Sequence, residues 1–501
     1  MSTRHVVFAS LLLPALVVAQ PTGPTSGVRP QRLVIRNATI VDGNGTPAKG
    51  PFDIVVVGNT IAQLIPRDPV STGGRGGNRG PVDAGTVEID ATGKYVLPGL
   101  INAHAHLQDE RAGTPQPIEY EFKIWLACGI TTIRDVGSNT TRALAWRDSS
   151  ARGLIAAPRM LIYPQFGRPT NTDSARARVR ALKAMGVDGI KLLGIDRDVM
   201  GAMEDEAHQL GLRIAHHVGV EETNAWDDIH FGTTSIEHWY GIPDAAILDK
   251  VQNFPSYYNY NNETDRFRWA GHLWREADPA RLSMVLDSMV ARGVAWVPTL
   301  DIYEASRDLQ RARTQPWFAD YLHPTLEEYF RPDPANHGSY FFGWSSTDEV
   351  FWKENYRIWM NAVREFERKG GVVGAGDDAG FIYQMYGFGL LRELELHQEA
   401  GFNTIKVIQH ATGNNAKILG KENEIGRVRQ GFRADLIVVN GNPLENLKVL
   451  YPTGVDEIKD GRPIRTGGIE WTIKDGIPYN GPALMRDVKA LVAKARSERA
   501  K

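Results

Sequence analysis

From about Leu97 onward the chain repeats one unit, a short apolar run followed by a stretch of helical periodicity. Ile130–Ile133 precedes a helical segment at 141–150, Arg159–Tyr163 one at 172–185, Gly189–Leu193 one at 198–210, and Arg213–His216 one at 224–231. Thr234–His238, Val294–Pro298 and Val372–Ala375 continue the series, and Gly99–His104 begins it. Parallel strands need a crossover, usually a helix, so strand–helix alternation commits a chain to a parallel sheet. Eight such units predict an α/β fold, a closed (β/α)8 or TIM barrel, over residues 97–424.

The rhythm differs on either side. Residues 32–40 and 53–65 alternate as strands, with Gly58-Asn59 marking a hairpin turn, and 87–90 and 95–97 resume the pattern. Strand signals return at 434–439 and 457–463. These segments predict a small β-sandwich domain built from both chain ends, 32–96 and 425–470, followed by a tail, 471–501, with an amphipathic helix from Ala483. Ser71–Gly80, rich in Gly and Arg, reads as a mobile loop.

Residues 1–19 carry Arg4 and His5, then an apolar run closed by Val17-Val18-Ala19, which reads as a secretory signal peptide; 20–31 reads as a linker. The run is short for a membrane span. The expectation is a secreted or periplasmic protein with no integral span after signal cleavage. A formal charge of −2 provides no basic footprint for nucleic acid or an anionic membrane. The lone Cys128 sits in an apolar stretch and excludes an intramolecular disulfide.

His104 and His106 end the first barrel strand two residues apart, so both imidazoles can face one ion. His216, His238 and Asp378 also follow apolar runs, and Lys191 lies within the fourth strand. Strand C-termini of a barrel converge on the face that holds active sites. Four histidines and an aspartate at those ends point to a metal centre.

With these residues in place the chain resembles the metal-dependent amidohydrolase superfamily, in particular its imidazolonepropionase-like and prolidase-type members. The resemblance rests on Leu97-Pro-Gly-Leu-Ile-Asn-Ala-His-Ala-His106, Gly129-Ile-Thr-Thr-Ile-Arg-Asp-Val-Gly137, Ser235-Ile-Glu-His238, Gly376-Asp-Asp-Ala-Gly380, and Ala411-Thr-Gly-Asn-Asn-Ala-Lys-Ile-Leu-Gly420 with Gly431-Phe-Arg-Ala-Asp-Leu436. It implies two divalent metal ions, zinc by the ligand set. His104 and His106 would hold the buried one, and His216 and His238 the more exposed one. Lys191 would be carboxylated and bridge them. Asp378 would bind metal and move the proton of the attacking water, with His238 assisting. His217 adjoins His216 and Asp377 adjoins Asp378; the resemblance favours His216, three residues before Gly219, and Asp378, which precedes Ala379-Gly380.

Around this set, Tyr240 and Arg134 are candidate substrate contacts, Arg134 and Asp135 are expected to pair, and Glu237 is expected to point away from the site. Insertions 253–278 and 301–352 are loaded with aromatics, including Phe254, Tyr260, Phe267, Tyr303, Trp317 and Tyr340. They predict either an aromatic lid or an oligomer contact. The activity implied is hydrolysis of an amide bond in a dipeptide or N-acyl amino acid. The alternatives are a cyclic amide, lactone or other ester, and a non-catalytic barrel that only binds.

Overall fold

A computed structural model describes residues 23–68, 85–218, 223–248, 255–259 and 262–499. The signal peptide, the start of the linker, the Ser71–Gly80 loop, Gly219, Phe254 and Tyr260 lie outside the described residues.

Segments from both chain ends meet in one eight-stranded sheet. Its order is Ile477–Asn480, Ile469–Lys474, Leu436–Val439, Tyr95–Pro98, Arg32–Ile40, Lys49–Val57, Thr60–Pro66, with Thr86–Asp90 also paired to Arg32–Ile40. The Gly58-Asn59 hairpin forms where its sequence places it, pairing Val57 with Thr60. Leu33, Ile35, Ile54, Val56, Val96, Leu436, Val438 and Ile473 share one core. Two expectations are corrected. Strands Ile469–Lys474 and Ile477–Asn480 lie largely in the segment 471–501 assigned to a tail, and among the described residues 455–466 pairs only with itself as a separate hairpin. The last helix, Gly481–Arg499, buries Leu484, Met485, Val488 and Val492 and packs on helix Ile118–Ala127.

Asp53 ties this sheet together. Its carboxylate accepts from the Asn37 backbone N at 3.0 Å, from Arg36 Nη1 at 2.7 Å and from Arg67 Nε at 2.8 Å. Burial alone would raise its pKa, but the bonds from Arg67, Asn37 and Arg36 outweigh burial and hold it below the ordinary aspartate value. A lowered folded-state pKa stabilises above the unfolded value of roughly 4 and is lost as pH falls through the folded value. Asp53→Asn should therefore lower stability by about 1–3 kcal/mol at pH 7. Denaturation midpoints should converge with wild type as pH falls through the folded-state value, below the ordinary aspartate range; an equal difference at neutral and at strongly acidic pH would refute the linkage.

The repeating units form parallel strands. Leu100–Ala105, Ile130–Asp135 and Arg159–Ile162 make one sheet, and Gly189–Leu192, Arg213–His216, Ser235–Glu237 and Ala295–Val297 another. The sheets are joined where Lys191 N donates to Pro164 O and Phe166 N to Lys191 O, each at 2.9 Å. The segment 372–378 bonds on both sides without forming a strand. Gly374 N donates to Trp296 O at 2.8 Å, while Ala103 N donates to Ala375 O at 3.0 Å and Asp378 N to His104 O at 2.9 Å. Gly376 permits this approach, because a Cβ there would lie 2.6 Å from His104 Cβ. Helices follow most strands, among them Thr140–Ala151, Thr172–Ala184, Arg197–Gln209, Ala225–Phe231 and Pro279–Arg292. Asn171, Asn224 and Ser345 start three helices with capping boxes.

Candidate metal centre

Strand alternation decides which of the adjacent histidines reaches the interior. Lys191 pairs with Ala215, and Ala215 packs inward with Ile101, Val136, Leu161 and Tyr163. Two residues on, His217 shares that side and lines the cavity. His216 has the parity of Leu192 and Ile214, which pack among helix residues Val179 and Met203. It is fully buried, with Nδ1 2.7 Å from Asp228 Oδ1. The preference for His216 is thus corrected: His217 faces the cavity and His216 does not line it.

His104, His106 and Asp378 come together as the sequence places them. Their ligand atoms lie within 4.8 Å of one another, with His106 Nε2 2.9 Å and His104 Nε2 3.7 Å from Asp378 Oδ1. His238 Nε2 is 3.9 Å from Asp378 Oδ2, and Lys191 lines the same cavity. Asp378 and His238 adopt φ of 47° and 63°. This left-handed conformation costs a non-glycine residue of order 1–3 kcal/mol and concentrates at functional sites.

The turn at His238 also explains a second correction. Regular alternation would send Glu237 away from the site, but φ of 63° rotates His238 so that both side chains face in. Glu237 Oε2 lies 2.6 Å from His104 Nδ1, and its Oε1 accepts from Arg134 Nη2 and Ser235 Oγ, each at 2.6 Å. Arg134 is fully buried beneath His104 and does not line the cavity, so it is corrected from a substrate contact to a partner of Glu237. Asp135 bonds Ser138 Oγ and the Leu107 backbone N instead of Arg134.

These contacts fix ring orientation. With Nδ1–H donated to Glu237, His104 directs the Nε2 lone pair at Asp378. Thr299 Oγ1 donates to Pro298 O at 2.7 Å, so it accepts from His238 Nδ1 at 2.6 Å and leaves the His238 Nε2 lone pair free to ligate. Burial, with Lys191 nearby, holds the His104 and His217 imidazoles well below their usual pKa; burial and His217 do the same for His238. Burial lowers Lys191 to about 8. Among the described residues its Nζ has no hydrogen-bond partner. Neutral imidazoles and a carboxylate are donors that fit a divalent cation. Asp377 does not line the cavity; it accepts from Asn102 Nδ2 at 2.7 Å, and burial raises it to about 7.

The cavity measures about 320 Å³, the scale of a small-ligand site. Phe267 and Tyr303 bring the two aromatic insertions to its wall, beside Tyr240, whose hydroxyl is 2.7 Å from that of Tyr303. Tyr340 stacks on Phe267 with centroids 4.1 Å apart. Trp317 packs instead on Phe388 and Tyr451. The insertions therefore split between cavity wall and scaffold. Arg168 and His337, in loops, and Arg266, in helix Glu263–Ala270, also line the cavity; no sequence pattern singles them out.

Residues 361–465 match the Amidohydrolase family. The chain is 32% identical over 201 residues to an uncharacterized protein of Mycobacterium tuberculosis, covering 32% of this chain and 53% of that one. It therefore spans about half the length of that curated relative. It is 32% identical over 171 residues to a D-hydantoinase of Rhizobium radiobacter, covering 32% of each chain. Among solved structures it is similar to a Xaa-Pro dipeptidase with methionine in its active site. The TM-score is 0.61 at 21% identity, over 90% of this chain and 100% of that one.

Proposed function

We propose that this chain, whose residues 361–465 match the Amidohydrolase family, is an amidohydrolase-superfamily member that hydrolyses, with bound metal, an amide bond in a dipeptide or N-acyl amino acid. The observation that carries this reading is the convergence of His104, His106 and Asp378 within 4.8 Å, beside an unpartnered Lys191 Nζ. The parallel strands and segment 372–378 are read as a closed (β/α)8 barrel, and the sheet from the chain ends as its companion β-sandwich.

His104, His106 and Asp378 would hold one ion, and His217 and His238 a second. Lys191, as a carbamate formed from its amine and carbon dioxide with loss of a proton, would bridge them. Zinc suits these nitrogen and oxygen donors. A bound divalent cation supplies Lewis acidity and a more acidic water. Asp378 accepts the proton of the attacking water and returns it to the leaving nitrogen. Glu237 keeps His104 in its ligating tautomer, and Tyr240, Tyr303 and Phe267 give the acyl group an apolar wall. Hydrolysis of a cyclic amide is the second reading, favoured by the likeness to a D-hydantoinase.

Elemental analysis should find about two divalent ions per wild-type chain and fewer in Lys191→Ala. Wild type should release free amino acid from dipeptides or N-acyl amino acids in a chelator-sensitive reaction. One ion or none in both proteins would sink the carbamate bridge, and cleavage of hydantoins alone would move the assignment to cyclic amides.

A further inference from the structure

Four titratable side chains outside the candidate centre meet in series. Glu393 Oε1 is 2.9 Å from His397 Nε2, one turn along helix Phe388–Glu399. His397 Nδ1 is 2.8 Å from His410 Nδ1, and His410 Nε2 is 3.1 Å from Glu367 Oε1. Glu393, His397 and His410 are fully buried. Glu367, near the end of helix Ser346–Arg368, remains 17% exposed, with Lys406 Nζ 3.5 Å away. The edge of Phe402 also packs on the rings, 4.8 Å from His410. At the inner end Glu393 Oε2 accepts from the Asp301 backbone N at 2.8 Å. A Cβ at Gly389 would lie 3.0 Å from Asp301 Oδ2 and 3.1 Å from Asp377 Cβ, so the chain ends against the carboxylates behind the centre.

Proton counting constrains this arrangement. Each of the three contacts is attractive only when it holds one proton, since two lone pairs or two N–H groups would repel. Two neutral imidazoles bring two protons, so the satisfied chain contains a third. We propose that Glu367, His410, His397 and Glu393 form a proton-conducting chain that carries one excess proton between solvent and the buried carboxylate of Glu393, beside Asp301 and behind the candidate centre.

Transfer needs no heavy atom to move. The proton on Glu367 Oε1 passes to His410 Nε2, the one on His410 Nδ1 to His397 Nδ1, and the one on His397 Nε2 to Glu393 Oε1. Three bonds to hydrogen break and three form, each contact keeps one proton, and the excess proton has crossed from Glu367 to Glu393. Burial holds His410 down at about 4, and at Glu367 the bond from His410 outweighs burial and holds the carboxyl below its usual value, so the outer end of the chain passes the excess proton on rather than storing it. His410 opens a five-residue π-helical segment, His410–Asn414, the kind of local irregularity found frequently at functional sites.

Long-range proton–nitrogen NMR on the full chain labelled with ¹⁵N-histidine tests this without reference to activity. All four ring nitrogens of His397 and His410 should show shifts averaged between bare and protonated values. Glu367→Gln, which cannot pass a proton, should freeze each ring into one tautomer. Unaveraged shifts identical in wild type and Glu367→Gln would overturn the chain and leave a structural clamp. A kinetic arm rests on the hydrolase reading. In Glu367→Gln and Glu393→Gln, kcat should fall by roughly tenfold, a smaller loss than for a directly acting acid or base. KM should stay unchanged, and added imidazole buffer should restore the rate. Unchanged kcat in both variants, with no buffer effect, would also overturn the proposal. Averaged shifts in a protein that hydrolyses nothing would sustain the chain and sink the hydrolase reading.

Discussion

Asp378→Asn is expected to reduce kcat by about 10³-fold or more. An amide in place of the carboxylate keeps the volume but cannot accept the proton of an attacking water. It also removes the anionic donor 2.9 Å from His106 Nε2. The side chain is 15% exposed and, among the described residues, its ion pairs are all to the histidine cluster, so the folded state should survive. Elemental analysis separates the two contributions. A variant that keeps its metal and loses turnover would assign Asp378 chiefly to proton transfer, whereas loss of both would make it chiefly a ligand. Activity within tenfold of wild type would remove Asp378 from the mechanism. Asp377→Asn should then be made in its place, although Asp377 is turned toward Asn102.

The second large effect concerns stability. Arg134 and Glu237 are both fully buried and meet at 2.6 Å, with Glu237 also holding His104. Removing one member of a buried ion pair leaves the other charge without compensation, at a cost of about 3–5 kcal/mol. Arg134→Met should produce that loss in reversible denaturant unfolding. The double variant Arg134→Met/Glu237→Gln should recover part of it, because no bare carboxylate then remains. A loss under about 1 kcal/mol for Arg134→Met would mean that water or a cation compensates Glu237. Metal content provides a second readout: without Glu237, the His104 tautomer is no longer imposed and affinity should fall by roughly 10–100-fold.

The approach of His104, His106 and Asp378 was legible because each follows an apolar run, and strands of a parallel sheet end together. Lys191 was legible only as a lysine within the fourth strand, its carboxylation being what the family resemblance implies. Residues 469–480 carry a strand signal of their own: Ile469, Trp471 and Ile473 alternate with Glu470, Thr472 and Lys474, and Asp475-Gly476 turns the hairpin that pairs Lys474 with Ile477, so nothing local required a tail there.

The sequence by itself determined the parallel strand–helix series, the hairpin at Gly58-Asn59 and the histidine–aspartate set, because periodicity and turn chemistry act over a few residues. Only the tertiary structure decided between His216 and His217, turned Glu237 inward and placed Arg134 beneath His104. Parity relative to a neighbouring strand, a single φ of 63° and a partner more than a hundred residues away are all non-local or conformational facts. No local pattern encodes them, which is why the carboxylate that orients the first histidine of the site became visible only in three dimensions.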